Sequence, residues 1–159
     1  MDAEHETEQS SGYAEDTTEE LLEQAQSNGQ ATIIATIAFL TEHRLPIADW
    51  IASLGRTFAL AWDEPEPWDA GEFLDAMLTN FRSLGATVLA SDLSPDRAEA
   101  TTTGFPDPEL CAIFGVDPAL VAAFNDIPAS LAADRSLSWE WFRTGEETRY
   151  SVRRLTTDG

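Results

Sequence analysis

Apolar residues recur at three- and four-residue spacing through the first half of the chain and at every second position through much of the second half. Ile33, Ile34, Ile37 and Leu40 mark a helix over residues 30–43, with a buried strand as the competing reading because the run contains β-branched residues. A weak helix over residues 18–26, led by Leu21 and Leu22, precedes it, and Ser27, Asn28 and Gly29 are expected to break the two apart. After Leu45 and Pro46, the series Ile47, Trp50, Ile51, Leu54, Phe58, Ala61 and Trp62 predicts a strongly amphipathic helix, ended by Pro65 and Pro67. Asp69 and Glu72 have capping-box spacing for a third helix, with Phe73, Leu74, Met77, Leu78, Phe81 and Leu84 inward and Gly85 at its close.

The period then changes. Residues 87–93 and 97–103 predict two strands about a turn at Ser94, Pro95 and Asp96. Two short helices follow, each opened by an Asp-Pro pair, Asp107-Pro108 and Asp117-Pro118. The aspartate accepts from free amides of the first turn, and proline fits the next position because its missing N–H would be unpaired there anyway. Leu110, Ile113 and Phe114 form the apolar face of the first, with Cys111 at its edge and Gly115 at its end. Leu120, Val121 and Phe124 do the same on the second. A last hairpin runs out from Leu137, turns at Thr144, Gly145, Glu146 and Glu147, and returns over residues 148–155. Leu137, Trp139 and Trp141 point one way, and Ser138, Glu140 and Phe142 the other. The pattern predicts an α+β fold: an N-terminal helical layer packed on a mostly antiparallel sheet, with two short helices between two hairpins. Residues 1–17 read as a disordered acidic tail, and 18–159 as a single α+β domain.

Charge changes what this domain is expected to meet. The formal net charge is −20, about half of it before Arg44, and every basic residue is an arginine. Such acidity without lysine points to a halophilic setting, with a salty cytoplasm screening self-repulsion. Phosphate-backbone binding needs a basic footprint, so nucleic acid is not an expected partner. No apolar run is long enough to cross a bilayer, and the acidic start fits neither a secretory nor a transit segment, so a cytoplasmic location is expected. The single cysteine forms no intramolecular disulfide and supports no cysteine-rich zinc site. No metal-ligand spacing, phosphate loop or nucleophile elbow is present, so neither metal nor cofactor is expected.

Candidate chemistry gathers in the second half. Trp139, Trp141, Phe142 and Tyr150 cluster on one hairpin. They suit an ordinary core, or the wall of an apolar ligand pocket whose other wall holds Trp50, Trp62 and Trp68. Arg143, with Arg149, Arg153 and Arg154, suits two-pronged contact with a ligand carboxylate, or pairing with the surplus acids. Cys111 is either a buried small hydrophobe or a thiol favoured near a helix N-terminus. Glu140 is an ordinary strand carboxylate unless desolvation fits it for acid–base work. His43 near a helix C-terminus needs no catalytic role.

The residues Pro108, Glu109, Leu110 and Cys111, then Phe114, Asp117 and Phe124, then 137–145 and Tyr150, Ser151, Val152 and Arg153 resemble the family named for L-2-amino-thiazoline-4-carboxylic acid hydrolase. They are more distantly similar to small-molecule-binding domains of the vinyl-reductase type. The resemblance covers about residues 86–155. It implies a ligand cavity between helices and sheet and, for intact members, hydrolysis of a small cyclic amino acid. Further cysteines of active members are replaced here by Gly104, Phe105 and Pro106, and by Thr148, Arg149, Tyr150 and Ser151. The resemblance therefore implies binding of a small carboxylate-bearing or amphipathic ligand at Trp139, Trp141, Tyr150, Arg143 and Phe114, with little or no catalysis. The alternatives are a hydrolase of a carbon–nitrogen or thiazoline ring bond with Cys111 as nucleophile and Glu140 or His43 assisting, and an acidic module whose tail engages a basic protein. A homodimer face on the first helix completes the expected partners.

Overall fold

The computed structural model describes residues 16–62 and 68–156. Helix α1 (Thr18–Glu42) is one continuous rod, not two helices with a break. Within the polar triplet the Asn28 side chain bonds along the helix, its Oδ1 accepting from Gln24 Nε2 at 2.8 Å. Gly29 is small for a tertiary reason, since a Cβ there would lie 3.1 Å from Leu84 Cδ2. Thr17, expected in the tail, instead caps α1 through a reciprocal contact with Glu20. The rest of the expected tail, residues 1–15, lies outside the described residues.

Helices α2 (Ile47–Ala61) and α3 (Ala70–Ser83) follow the predicted periodicity, and Asp69 and Glu72 form the predicted capping box. The two prolines expected to end α2 lie outside the described residues. Strands β1 (Thr87–Leu93) and β2 (Arg97–Thr103) pair antiparallel, with a bulge between Val88 and Ala90. Helices α4 (Pro108–Phe114) and α5 (Pro118–Ala122) carry the expected aspartate caps. A 3₁₀ turn (Ala123–Asp126) and a sixth helix, α6 (Pro128–Ala133), come next and were not anticipated. Strands β3 (Leu137–Thr144) and β4 (Glu147–Arg154) complete a four-stranded antiparallel sheet in the order β1-β2-β4-β3.

The architecture is the expected α+β arrangement. Ala98, Ala100, Tyr150, Val152 and Leu137 on the inner sheet face pack against Ile34, Ile37, Phe73, Leu74, Met77 and Phe81 from the helices. The outer face carries Arg97, Glu99, Arg149, Arg153, Glu140 and Phe142, as strand alternation requires. Gln30 ties the helical layer to the loops flanking the β1–β2 hairpin. Its Nε2 donates to the carbonyls of Leu84 and Gly104, both at 2.7 Å, and its Oε1 accepts from the Asp107 amide at 2.9 Å. No single helix among the described residues is long and apolar enough to cross a membrane.

Candidate functional site

Alternation along β3 sends Trp139 and Trp141 inward, and each indole finds a polar partner. Trp139 Nε1 donates to the Asn125 carbonyl at 2.7 Å, and Trp141 Nε1 donates to Asp126 Oδ1 at 2.6 Å. Tyr150, fully buried on β4, donates its hydroxyl to Asn125 Oδ1 at 2.8 Å. The 3₁₀ turn is therefore what the aromatic hairpin is bonded to.

Rings fill the space behind these contacts. Phe81 of α3 stacks on Tyr150 with centroids 5.2 Å apart and on Trp139 at 6.5 Å. Phe73 meets Trp139 edge-on at 6.1 Å. Phe105 lies 5.9 Å from Phe81 and 5.7 Å from Phe124. Trp139 and Tyr150 are thus packing residues of a continuous aromatic layer. The hydroxyls of Thr102 and Thr148, both fully buried, act on the Tyr150 oxygen but make no well-formed hydrogen bond. Burial pushes the Tyr150 hydroxyl up to about 12, against the weaker opposing pull of those two threonines.

The open volume lies one ring away, on the far side of Phe81. A cleft of about 280 Å³ separates α2 from α3 and the α6 segment. Phe58 and Trp62 of α2 face Met77, Phe81 and Leu84 of α3, and Phe124, Ile127, Pro128 and Leu131 close the remaining wall. The polar groups on its border are Asn80 and Ser83, both exposed; among the described residues, no charged side chain lines it. The hollow implied by the resemblance, between helices and sheet, is thus replaced by a cleft between helices, because Phe73, Phe81 and Phe105 occupy the space against the hairpin. Of the three tryptophans proposed for the opposing wall, Trp62 lines the cleft. Trp68 packs edge-on against Trp62 at 5.4 Å, under the Arg135 guanidinium, and Trp50 packs toward Phe124 at 6.4 Å.

The other expected site residues are dispersed. Cys111 is fully buried on the α4 flank that meets α1, whereas Ile113, expected inward, is 77 % exposed. Helix α4 has barely two turns, so a single line of side chains is covered. Burial raises the Cys111 thiol, helped by the carboxylates of Asp107 and Asp117, with Arg143 pulling the other way. The protonated thiol is favoured, so the α4 N-terminus does not produce a reactive thiolate. Glu140 is exposed on the outer sheet face opposite Ser151, so the sheet separates it from the helices that hold Cys111. His43 is exposed and stacks on Phe39 with centroids 4.1 Å apart, its Nδ1 2.9 Å from the Phe39 carbonyl. Phe114 is 40 % exposed at the end of α4.

The arginines do not converge either. Arg143 is half-buried on the inner side, and its Nε is without a partner. Arg149 lies over the exposed Phe142 ring on the outer face, 5.5 Å from the centroid. Arg154 pairs with Asp96 at 3.3 Å. None of them lines the cleft. Among the described residues, no group of three or more His, Cys, Asp or Glu is placed to hold a metal ion.

No protein-family model, no curated protein and no solved structure matches the chain.

Proposed function

We propose that this chain is a small-molecule-binding domain with little or no catalysis, and that its ligand sits in the cleft between α2, α3 and α6. The observation that carries this reading is the chemistry of the walls. Four aromatic rings, a methionine, a proline and three aliphatic side chains surround about 280 Å³, with Asn80 and Ser83 as polar groups at the border. Ligand sites have this composition: apolar surface for affinity and a few polar groups for orientation. Between the two ligand types implied by the sequence, the uncharged walls favour an amphipathic molecule over a bare carboxylate. A buried carboxylate without a cation would be costly.

The likeness to the aminothiazoline-carboxylate hydrolase family supports binding in this reading and not turnover. A nucleophilic Cys111 would need to be exposed and readily deprotonated, and here it is covered and burial raises its thiol.

A thermal-shift screen tests the proposal with matched pairs of amphipathic molecules, one bearing a neutral polar group and one a carboxylate. Neutral members should raise the melting temperature of the wild type. Leu131→Trp, which fills the cleft, should lose that response. Equal stabilisation of both proteins would place binding elsewhere, and no stabilisation by any compound would overturn the reading.

A further inference from the structure

Arg135, half-buried just beyond α6, reaches three borders of the cleft at once. Its Nη2 donates to the Trp62 carbonyl at the end of α2, and its Nη1 donates to the Leu131 carbonyl of α6 at 3.1 Å. Its guanidinium carbon lies 5.4 Å from the centre of the Trp68 ring, on the approach to α3. Trp62 and Leu131 both line the cleft, and Trp68 packs against Trp62.

Both carbonyls belong to helix ends. The last turn of a helix leaves carbonyls without amide partners and carries partial negative charge. Neither α2 nor α6 has a basic residue in its own last turn, so Arg135 supplies the cation for both. A planar guanidinium suits this place. Its separate N–H groups reach two carbonyls while its face lies on an indole, a geometry that a lysine ammonium does not offer.

A second contact fixes α2 further back. Gly55 is buried against the start of α6, where a Cβ would lie 3.1 Å from the Ile127 carbonyl oxygen and 3.3 Å from Ser130 Oγ. Phe58 and Trp62, the cleft residues of α2, come one and two turns past that approach. Gly55 is thus placed as a pivot, with Arg135 holding the arm beyond it.

We propose that Arg135 is the positioning residue of the cleft. It clamps the end of α2 to α6 and to the Trp68 ring, and so sets how far Phe58 and Trp62 stand from Met77 and Phe81. Its part in binding rests on the reading of the cleft as a ligand site; the clamp itself is a property of the free protein.

Spin labels on Leu60→Cys of α2 and Thr79→Cys of α3, both exposed, measure the clamp without ligand in a Cys111→Ser background. The distance distribution should be narrow with Arg135 present and broad in Arg135→Met, which keeps the stem and loses the fork. N-phenyl-1-naphthylamine, a neutral amphipathic fluorophore, measures the site. Arg135→Met should bind it about tenfold more weakly, the scale of one hydrogen bond to a charged group. Asp107→Ala uncaps α4, which does not line the cleft, and should lose stability with neither change. If Arg135→Met does not fold, Arg135→Lys, which keeps the charge and loses the fork, should give the same two changes. A distribution as narrow without Arg135 as with it would overturn the proposal. So would equal broadening in Asp107→Ala, or broadening with unchanged affinity for the fluorophore. Broadening in a protein whose wild type binds no fluorophore would remove the ligand from the cleft and leave the clamp standing.

Discussion

The Tyr150 hydroxyl donates to Asn125 Oδ1 across 2.8 Å, and both residues are fully buried. This bond joins the central strand β4 to the 3₁₀ turn, which in turn carries Phe124 to the cleft wall. Asn125 is held from the other side as well, since its Nδ2 donates to the Ala122 carbonyl at 2.9 Å. Tyr150→Phe keeps the ring stack but strands the Asn125 oxygen in the core. The expected cost is about 2 kcal/mol, the usual penalty for a buried polar atom left alone. Urea unfolding of the two proteins measures it.

The same tyrosine gives an alkaline signature. Burial holds its folded pKa at about 12, above the unfolded value near 10. The unfolded state therefore loses its proton first as pH rises. The stability linked to this group is intact below about pH 10 and falls away between about 10 and 12, by roughly 3 kcal/mol in total. The chain has two tyrosines and no lysine, and Cys111, whose thiol burial also raises, is removed from the comparison by measuring both proteins in a Cys111→Ser background. Absorbance titration of the native protein should show the Tyr150 step only near pH 12, and Tyr150→Phe should remove it.

Gln30 holds three backbone groups with one amide. Gln30→Leu fills the space but leaves the Leu84 and Gly104 carbonyls and the Asp107 amide without their partner. A loss of about 3 kcal/mol is expected, or roughly 10 °C in melting temperature for a domain of this size. Calorimetry checks it.

Cys111 should behave as a core residue. An aromatic disulfide reagent at pH 8 should label it only after denaturant unfolds the chain, at a rate that follows unfolding. Cys111→Ser should leave ligand response unchanged while lowering stability by about 1–3 kcal/mol, because it places a hydroxyl in an apolar site. Rapid labelling of the native protein would show the thiol to be accessible.

Residue pattern alone reached most of the backbone because each signal there is local. Asp69 and Glu72 cap α3, the Asp-Pro pairs open α4 and α5, and alternation with a Ser94–Asp96 turn sets β1 and β2. Gly29 misled because its reason is tertiary, the approach of Leu84. Helix α6 was not legible because it has only six residues, too few for a period to emerge between Asp126 and β3. The site was least legible of all. Phe58 and Trp62 on α2, and Met77, Phe81 and Leu84 on α3, have the spacing of any core face. Nothing in that spacing says that two such faces stop short of closing. The tryptophans of β3 stood out by composition, yet their neighbours fill the room around them.

Met77 gives direct access to the cleft. The chain has two methionines, Met1 and Met77, and Met77 is nearly buried in the cleft wall. In protein carrying ¹³C-methyl methionine, a ligand that raises the melting temperature should shift the Met77 methyl resonance in a saturable way and leave Met1 in place. A stabilising ligand that leaves the Met77 signal unmoved would contradict the cleft as the binding site.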